Sequence, residues 1–227
     1  GSFYSHGVSI GNCYSSNGSN YMLFMGWQNQ PGKHWRGDIG RLILKEDLTL
    51  QLDSSAPFIG SDSVDPISLS YPWVQSRASG ILDMWYGSTV SWVADNGEMV
   101  HVINHATSDD GDTWMKHGLS VPFEIGRAQA FSHPSVLRKS VTELDMWFSY
   151  RCGSGGKYRI GYAKSFDNGI SWEIDLKSSG IEVSESGWDS EMIEYPFVFC
   201  HKDSCYMLYN GNGYGKTGFG LALLVNE

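Results

Sequence analysis

The sequence predicts an all-β protein, a β-propeller of four-stranded antiparallel blades in which four blades are visible and the last is incomplete. Three related segments carry a proline at positions 72, 134 and 196, so the sequence repeats with a period of 62 residues. A fixed period of this length indicates stacked supersecondary units. A methionine recurs at nearly the same spacing inside short apolar and aromatic runs, at Met22, Met84, Met146 and Met207. Such runs, bounded by glycine, serine and asparagine, are typical of buried strands.

Each predicted blade follows the same order of strands, from the innermost to the outermost. The first blade, 5–68, has strands at 5–10, 21–26, 39–44 and near 57–59; the second, 69–130, has strands at 72–75, 82–86, 99–104 and after Trp114. The third, 131–192, has strands at 134–137, 144–148, 158–162 and from Trp172; the fourth, 193–227, has three, at 196–199, 206–209 and 218–224. We see no helix, and tandem four-stranded units are typical of propellers. Either residues 2–5 supply the missing strand, or the ring is incomplete, or another chain completes it.

Two predicted turns support this architecture. The segments Thr107–Trp114 and Ser165–Trp172 both fit the pattern Ser/Thr-x-Asp-x-Gly-x-Ser/Thr-Trp. In such a turn the Asp and Ser/Thr side chains bond the backbone, the glycine takes a positive φ, and the tryptophan packs beneath. The pair resembles the Asp-box turns of sialidases and related propellers, which lie on the outer rim. We therefore assign Asp109 and Asp167 to the fold and not to a functional site.

The composition restricts the class of partner. The net charge of −9 argues against binding to nucleic acid or to an anionic membrane. No apolar run approaches the roughly 20 residues that are needed to span a bilayer. No signal peptide is visible, and we interpret Gly1 and Ser2 as an expression scar, so the localisation stays open with the cytoplasm favoured.

The four cysteines are Cys13, Cys152, Cys200 and Cys205, and none forms a CxxC pair. We therefore expect no zinc site, and no ligand pattern demands another metal or a cofactor. Cys200 and Cys205 flank a short turn, so they face each other across a predicted hairpin either as a disulfide or as two thiols. For a cytosolic protein, two reduced thiols are the favoured interpretation.

The propeller geometry brings the starts of the innermost strands together at one mouth of the axis. This prediction places the following residues around one pocket: His6, Tyr71, His133 and Glu194. The loops that follow the second strands add to its wall Trp27, Ser88, Arg151 and Asn210, and the glycine-punctuated loop 210–216 adds Tyr214. Aromatic faces with several oriented hydrogen-bonding groups suit a polyhydroxylated ligand, so we predict a carbohydrate or sugar derivative as the partner.

Each of these residues also has a structural interpretation. Glu194 could bond the backbone of neighbouring blades, and His6 and His133 could tie adjacent blades together. Arg151 could form a salt bridge with an acid such as Glu194. The loop 210–216 is either a ligand loop or a wide hairpin turn.

The inner strand that opens with Glu194-Tyr-Pro196, and second strands that read Met-Trp-Tyr/Phe, resemble the five-bladed glycosidase propellers of the arabinanase/xylosidase and invertase families. The resemblance implies that Glu194 is the general acid. The C-terminal third also resembles a group of uncharacterised bacterial glycosidase-like proteins, over the stretches Tyr158–Ser165, Gly187–Glu194 and Tyr209–Gly218.

The sequence departs from those families in two respects. They carry five blades, and they place an aspartate where this chain has Ser5-His6-Gly7 and Ser132-His133-Pro134. Since glycoside hydrolysis normally needs two carboxyl groups, we consider Asp189 and Glu191 as partners of Glu194. The odd separation of Glu191 from Glu194 disfavours a common face along a strand.

We therefore predict a glycoside hydrolase-like protein with an axial sugar pocket and Glu194 as the general acid. The alternative is a non-catalytic propeller that binds carbohydrate, or one that binds another protein. We also consider a homo-oligomer formed through the incomplete blade. A second carboxylate in the pocket would distinguish hydrolysis from binding alone.

Overall fold

A computed structural model describes residues 2–153 and 155–225 and confirms the all-β class. The chain divides into two compact units. Unit 1 contains the residues up to Trp92 together with His101–Ser120, and unit 2 contains Val93–Val100 together with the residues from Val121 onward. The described residues contain no helix long and apolar enough to cross a membrane.

Unit 1 consists of two antiparallel meanders. Their strands are β1 (Gly7–Ser16), β2 (Ser19–Asn29), β3 (Trp35–Leu44) and β4 (Leu50–Leu52), then β5 (Leu69–Ser76), β6 (Leu82–Ser91), β7 (Val100–Ser108) and β8 (Met115–Leu119). Apolar side chains of both meanders form one core, with Leu23, Ile39, Leu69 and Met84 at its centre. The alternation of side chains across each strand explains why short apolar runs suffice to build this core.

Unit 2 contains two further antiparallel meanders. The first has β9 (Ala130–Arg138), β10 (Leu144–Arg151), β11 (Arg159–Ser165) and β12 (Glu173–Ile174), and the second has β13 (Glu194–His201), β14 (Ser204–Asn210) and β15 (Phe219–Leu223). Their core contains Trp147, Ile160, Ile193 and Met207. As predicted, the last meander of the described chain has three strands.

The structure corrects the predicted position of the outermost strand of the first meander. The outermost strand is Leu50–Leu52 and not 57–59, because the turn after β3 is closed by a hydrogen bond from Lys45 N–H to the Thr49 carbonyl. Ile59 instead forms an isolated bridge with Ile39.

Residues 3–6 form a turn, so the outermost strand proposed for residues 2–5 is not there. The segment α1 (Asn212–Gly215) is a single tight turn and not a regular helix, because Gly213 and Tyr214 have left-handed backbone angles with φ of 65° and 63°.

Cys200 and Cys205 lie opposite each other on β13 and β14 and form a disulfide, so the interpretation as two reduced thiols is wrong. Cys13 and Cys152 are free thiols. The disulfide therefore closes the short hairpin between β13 and β14.

Three innermost strands share one irregularity at the proline repeat. The residues before the prolines, Tyr71, His133 and Tyr195, have positive φ values of 44°, 52° and 57°. The ladders of β5, β9 and β13 shift register at these points. A bulge changes the direction of the side chains beside it. In each case the residue just before the bulge is buried, namely Ser70, Ser132 and Glu194.

In both glycine turns an acidic side chain accepts hydrogen bonds from backbone N–H groups, but one turn uses a different register from the prediction. In the second turn Asp167 Oδ1 accepts from Ser171 N–H at 3.0 Å, as expected. In the first turn the acceptor is Asp110 and not Asp109; its Oδ1 accepts from the N–H groups of Asp112 and Thr113, at 2.8 and 2.7 Å. The structural role assigned to Asp109 therefore belongs to Asp110.

This shift in register is directly testable. We expect Asp110→Ala to lower the midpoint of urea unfolding, because two backbone N–H groups of the turn lose their acceptor. Asp109→Ala, the matched control, leaves the midpoint unchanged within error, because the Asp109 side chain makes no hydrogen bond with any described residue. A larger loss in Asp109→Ala than in Asp110→Ala would restore the register predicted from sequence.

Candidate active site

Glu194 is the first residue of β13 and lies opposite Asn210 of β14. Its side chain is fully buried, and neither carboxylate oxygen has a hydrogen-bond partner among the described residues. Burial raises the pKa of the Glu194 carboxyl from 4.5 to about 8. Such a group is protonated at neutral pH and can donate a proton, as a general acid must.

The backbone on both sides of Glu194 is anchored. Tyr195 N–H donates to Ser149 Oγ at 2.7 Å, and Ile193 N–H donates to the Tyr158 carbonyl at 3.4 Å. The bulge at Tyr195 thus fixes where the carboxyl is held. Within residues 2–153 and 155–225 the Glu194 side chain makes no hydrogen bond to a neighbouring backbone, so the structural role considered for it is not found there.

Next to Glu194 in unit 2 lies a continuous aromatic group, which we call the tyrosine series: Tyr195, Tyr214 and Tyr158. The ring centroids of Tyr195 and Tyr214 are 6.4 Å apart, and those of Tyr214 and Tyr158 are 6.2 Å apart. His133 extends the series at one end, 5.5 Å from the Tyr195 ring. Tyr214 is 59% exposed, so the series reaches the surface. Aromatic faces of this kind suit the apolar face of a sugar ring.

Arg151 extends the tyrosine series at its other end. Its guanidinium lies 5.6 Å from the centre of the Tyr158 ring, within the range of a cation–π contact. Arg151 also forms an ion pair of 3.3 Å with Glu98. The acid that pairs with Arg151 is thus Glu98 and not Glu194, so this arginine leaves the Glu194 carboxyl uncompensated.

His133 is half-buried and neutral at physiological pH. Burial lowers the pKa of His133 to about 4, and a hydrogen bond with the Pro196 carbonyl opposes that fall. This bond joins the residue before Pro134 on β9 to the proline of β13. It supports the interpretation that His133 ties adjacent meanders, while its ring also contacts Tyr195.

The two acids predicted to assist Glu194 have other partners. Asp189 is 5% exposed, and its Oδ2 accepts a hydrogen bond from the Tyr209 hydroxyl at 3.1 Å. Burial and this bond raise the pKa of Tyr209. The Glu191 side chain is 65% exposed and lies 3.5 Å from Lys157. The contrast between exposed Glu191 and buried Glu194 agrees with the expectation that they do not share a face.

The loop between β14 and β15 combines the two interpretations that the sequence left open. Asn212 Oδ1 accepts hydrogen bonds from the backbone N–H groups of residues 191 and 192, at 2.8 and 3.1 Å. It therefore orders the segment that leads into Glu194, as a structural turn does. The same loop holds Tyr214 in a left-handed conformation, with φ of 63°, and presents its ring to the tyrosine series.

Three predicted ligand residues lie in unit 1. His6 is exposed, with its ring centroid 6.2 Å from that of Trp27 and its Nδ1 3.0 Å from Ser5 Oγ. Tyr71 is half-buried at the bulge of β5. His6 and Trp27 are thus brought together. The convergence of these residues with His133 and Glu194 on one pocket stays a prediction.

Sequence reasoning missed Tyr195 and Tyr158. The signal for Tyr195 was available, because it occupies the position before proline that led us to choose Tyr71 and His133. Tyr158 lies at the end of the loop after β10, and its proximity to Tyr214 depends on how two separate loops fold. Over the described ranges, no group of three or more His, Cys, Asp or Glu side chains is arranged to hold a metal ion.

Comparison with known proteins adds a close relative of uncharacterised function. Over its 227 residues the chain is 39% identical to the uncharacterized protein of Mycobacterium tuberculosis strains CDC 1551 and H37Rv, and it covers 74% of that protein. No family model matches the sequence.

Solved structures share the fold at low sequence identity. A candidate glycoside hydrolase of Parabacteroides distasonis matches with a TM-score of 0.66 and 18% identity, over 96% of this chain and 69% of that one. A structure from the GH130 family of mannoside phosphorylases, which contains glycoside hydrolases that target β-1,2-mannosidic linkages in Candida mannan, matches with a TM-score of 0.65 and 15% identity, over 96% and 67%. These matches identify the fold as that of glycosidase-like β-propellers.

Proposed function

Because the chain belongs to the same family as the Mycobacterium tuberculosis protein and has the fold of the glycosidase-like propeller superfamily, we propose that it is a carbohydrate-active glycoside hydrolase with Glu194 as its general acid. The observation that carries the proposal is the protonated, fully buried Glu194 carboxyl without a hydrogen-bond partner in the described chain. Cleavage of a glycosidic bond requires a proton at the leaving oxygen, and a carboxyl whose pKa is raised by burial supplies it at neutral pH.

The tyrosine series supports a sugar as the ligand of this acid. Its rings offer apolar faces next to hydroxyl groups, which is the combination that a pyranose or furanose ring requires. His133 and Arg151 at the two ends add polar groups. In this proposal Tyr195 and Tyr214 contact the sugar that is cleaved, and Asn210 lies at the same edge.

A second candidate function is carbohydrate binding without turnover. Burial is the cause of the raised pKa of Glu194, with no contribution from another carboxylate of the described chain. Two catalytic carboxyl groups at the separations used in glycoside hydrolysis would shift each other's pKa. Asp189 and Glu191 are engaged with Tyr209 and Lys157, so their assistance requires these contacts to change on binding.

The experiment that decides between these candidates is a chromatographic screen for release of monosaccharide and, where phosphate is present, of sugar 1-phosphate. The substrates are β-1,2-mannobiose, arabinobiose, xylobiose and sucrose, each with and without inorganic phosphate, because one structural neighbour belongs to a family of mannoside phosphorylases. Turnover of any of them supports the hydrolase-like proposal. Saturable binding in calorimetry without turnover supports the second candidate, and the absence of both overturns the two together.

We further propose that the four meanders are propeller blades with the boundaries 5–68, 69–130, 131–192 and 193–227, and that the edge of β15 mediates a homo-oligomer. Along β15 the alternating side chains of Phe219, Leu221 and Leu223 are 74%, 59% and 54% exposed. A small, partly open cavity of about 60 Å³ lies beside this strand, lined mainly by apolar side chains that include Trp147, Val198 and Met207. Exposed apolar edge strands favour pairing with another strand.

We expect Leu221→Lys to shift the protein toward monomer in light scattering coupled to size exclusion, because a charge on an edge strand opposes edge-to-edge pairing. Val141→Lys, at an equally apolar site that is 75% exposed away from β15, is the matched control. A wild-type protein that is monomeric at all concentrations would contradict the oligomer.

A further inference from the structure

A second aromatic group lies in unit 1, and neither the proposed acid nor the tyrosine series accounts for it. It consists of His34, Trp35 and Trp92, and we call it the Trp92 cluster. The ring of His34 stacks on Trp92 at a centroid distance of 4.8 Å and an interplanar angle of 17°. Trp35 meets Trp92 edge-to-face at 4.8 Å and 73°.

The strands of unit 1 hold the cluster in place. Trp35 is the first residue of β3 and pairs with Asn29 of β2, whereas Trp92 follows directly after β6. Trp35 also lies 6.0 Å from the ring of the buried His101. The two indoles are therefore positioned by regular structure at their bases, so little conformational freedom would be lost when a ligand binds.

The cluster is open to solvent and its polar atoms are unused. His34 is exposed, and Trp35 and Trp92 are half-buried. Within the described chain, no acceptor bonds the indole N–H of Trp35 or Trp92, and neither nitrogen is among the buried polar atoms that lack a partner. Both N–H groups are thus accessible donors beside apolar ring faces. A buried indole N–H usually finds a protein acceptor, so accessible donors on a fixed ring pair suit a ligand that supplies acceptors.

Two basic residues flank His34 and Trp35 in sequence: Lys33, which is exposed, and Arg36, which has partners in the protein. Arg36, the next residue after Trp35, is already bonded to Asp38 Oδ1 at 3.3 Å and to Ser61 Oγ at 2.9 Å. The protein as a whole has a net charge of −9, which disfavours anions. A neutral molecule with an apolar face and hydroxyl acceptors matches both the rings and the indole donors.

We propose that the Trp92 cluster is a carbohydrate-binding platform, on which one neutral sugar ring of an oligosaccharide stacks while its hydroxyl oxygens accept hydrogen bonds from the indole N–H groups. This inference rests on the proposed carbohydrate function and extends it from a single sugar to an oligosaccharide. It requires no reaction at the platform and no role for Glu194 in binding there.

The test is isothermal titration of the full chain with three neutral trisaccharides, β-1,2-mannotriose, arabinotriose and xylotriose. Wild type is compared with Trp92→Ala and with Phe166→Ala, a matched aromatic control that is 57% exposed in unit 2. We expect Trp92→Ala to weaken binding of at least one trisaccharide by about tenfold, because an aromatic stacking contact is lost. Phe166→Ala binds like wild type.

His34→Ala provides a variant that is expected to fold normally, since the side chain is exposed and makes no hydrogen bond in the described chain. It should weaken binding by a smaller factor, because Trp92 loses its stacking partner. Trp92→Phe keeps a ring and should retain most of the affinity, while the change in tryptophan fluorescence on binding should decrease.

The outcomes separate this inference from the proposed function. If the wild type binds a trisaccharide and Trp92→Ala binds it equally well, the platform is wrong and the hydrolase proposal stands. If Trp92→Ala loses affinity but the wild type turns over no substrate, the platform stands and the hydrolase proposal is wrong. If the wild type binds none of the three, the platform is wrong, and the turnover screen alone decides the hydrolase proposal.

Discussion

Replacing Glu194 with glutamine lowers the rate of glycoside hydrolysis by about 10²- to 10⁴-fold, the range that a positioned general acid contributes. Glutamine has nearly the same shape but cannot release a proton to the leaving oxygen. Because the wild-type carboxyl must be protonated and its pKa is raised to about 8, we expect kcat/KM of the wild type to fall at higher pH. The measurement is the pH profile of kcat/KM on whichever substrate the screen identifies.

Glu173→Gln is the matched control for this variant, since it makes the same chemical change on an exposed side chain of β12. It retains the wild-type rate and pH profile. A Glu194→Gln protein with the wild-type rate would remove Glu194 from the catalytic role. Asp189→Asn and Glu191→Gln then test whether either acid is the second carboxyl group. The variant that removes the second carboxyl group should lose about as much activity as Glu194→Gln.

The inner strands could be predicted from sequence because they follow from a strict period and from apolar runs, whereas the outermost strand of the first meander was misplaced. The turn containing Asp110 could not be placed with the same accuracy, because Thr107-Ser108 and Asp109-Asp110 offer two adjacent registers with the same residue types. Hydrogen bonds choose between them, with Ser108 Oγ accepting from Gly111 N–H at 2.8 Å. A sequence pattern records residue types and not the geometry that selects one register.

Part of the candidate site could also be predicted from sequence, because Glu194 stands at a repeated position. The substitution of glutamate for serine at a repeated position identified Glu194, and a bulge next to it is consistent with the repeated proline. Its complete burial and the absence of a partner for its oxygens in the described chain depend on how several loops pack, which no local pattern contains. The Trp92 cluster illustrates the same limit, because it joins residues 34 and 35 with residue 92.

Burial of an unpaired carboxyl should also make the stability of the protein depend on pH in an unusual direction. In the unfolded chain Glu194 has an ordinary pKa near 4.5, whereas in the folded protein its pKa is about 8. Between these values the unfolded chain has released the proton and the folded protein still holds it. Since the unfolded state then binds fewer protons, the free energy of unfolding decreases as the pH rises.

We expect this single group to destabilise the protein by up to about 5 kcal/mol as the pH rises from 4.5 to 8, with no further change at higher pH. The measurement is urea unfolding at pH values from 5 to 9 for the wild type and for Glu194→Gln, which does not titrate. The difference between the two proteins isolates Glu194, because other groups contribute equally to both.

His101 and His133 show why the wild type must be compared with Glu194→Gln, since these histidines also make the free energy of unfolding depend on pH. Burial lowers the pKa of each to about 4, so each contributes stability that is lost as the pH falls below 6.5, opposite in sign to Glu194. We expect Glu194→Gln to gain stability relative to the wild type steadily between pH 5 and 8. An unpaired buried amide adds a constant offset to this difference, but it cannot change the slope. A difference that is independent of pH would mean that Glu194 is ionised or solvated in the folded protein, and the general acid role would lose its physical basis.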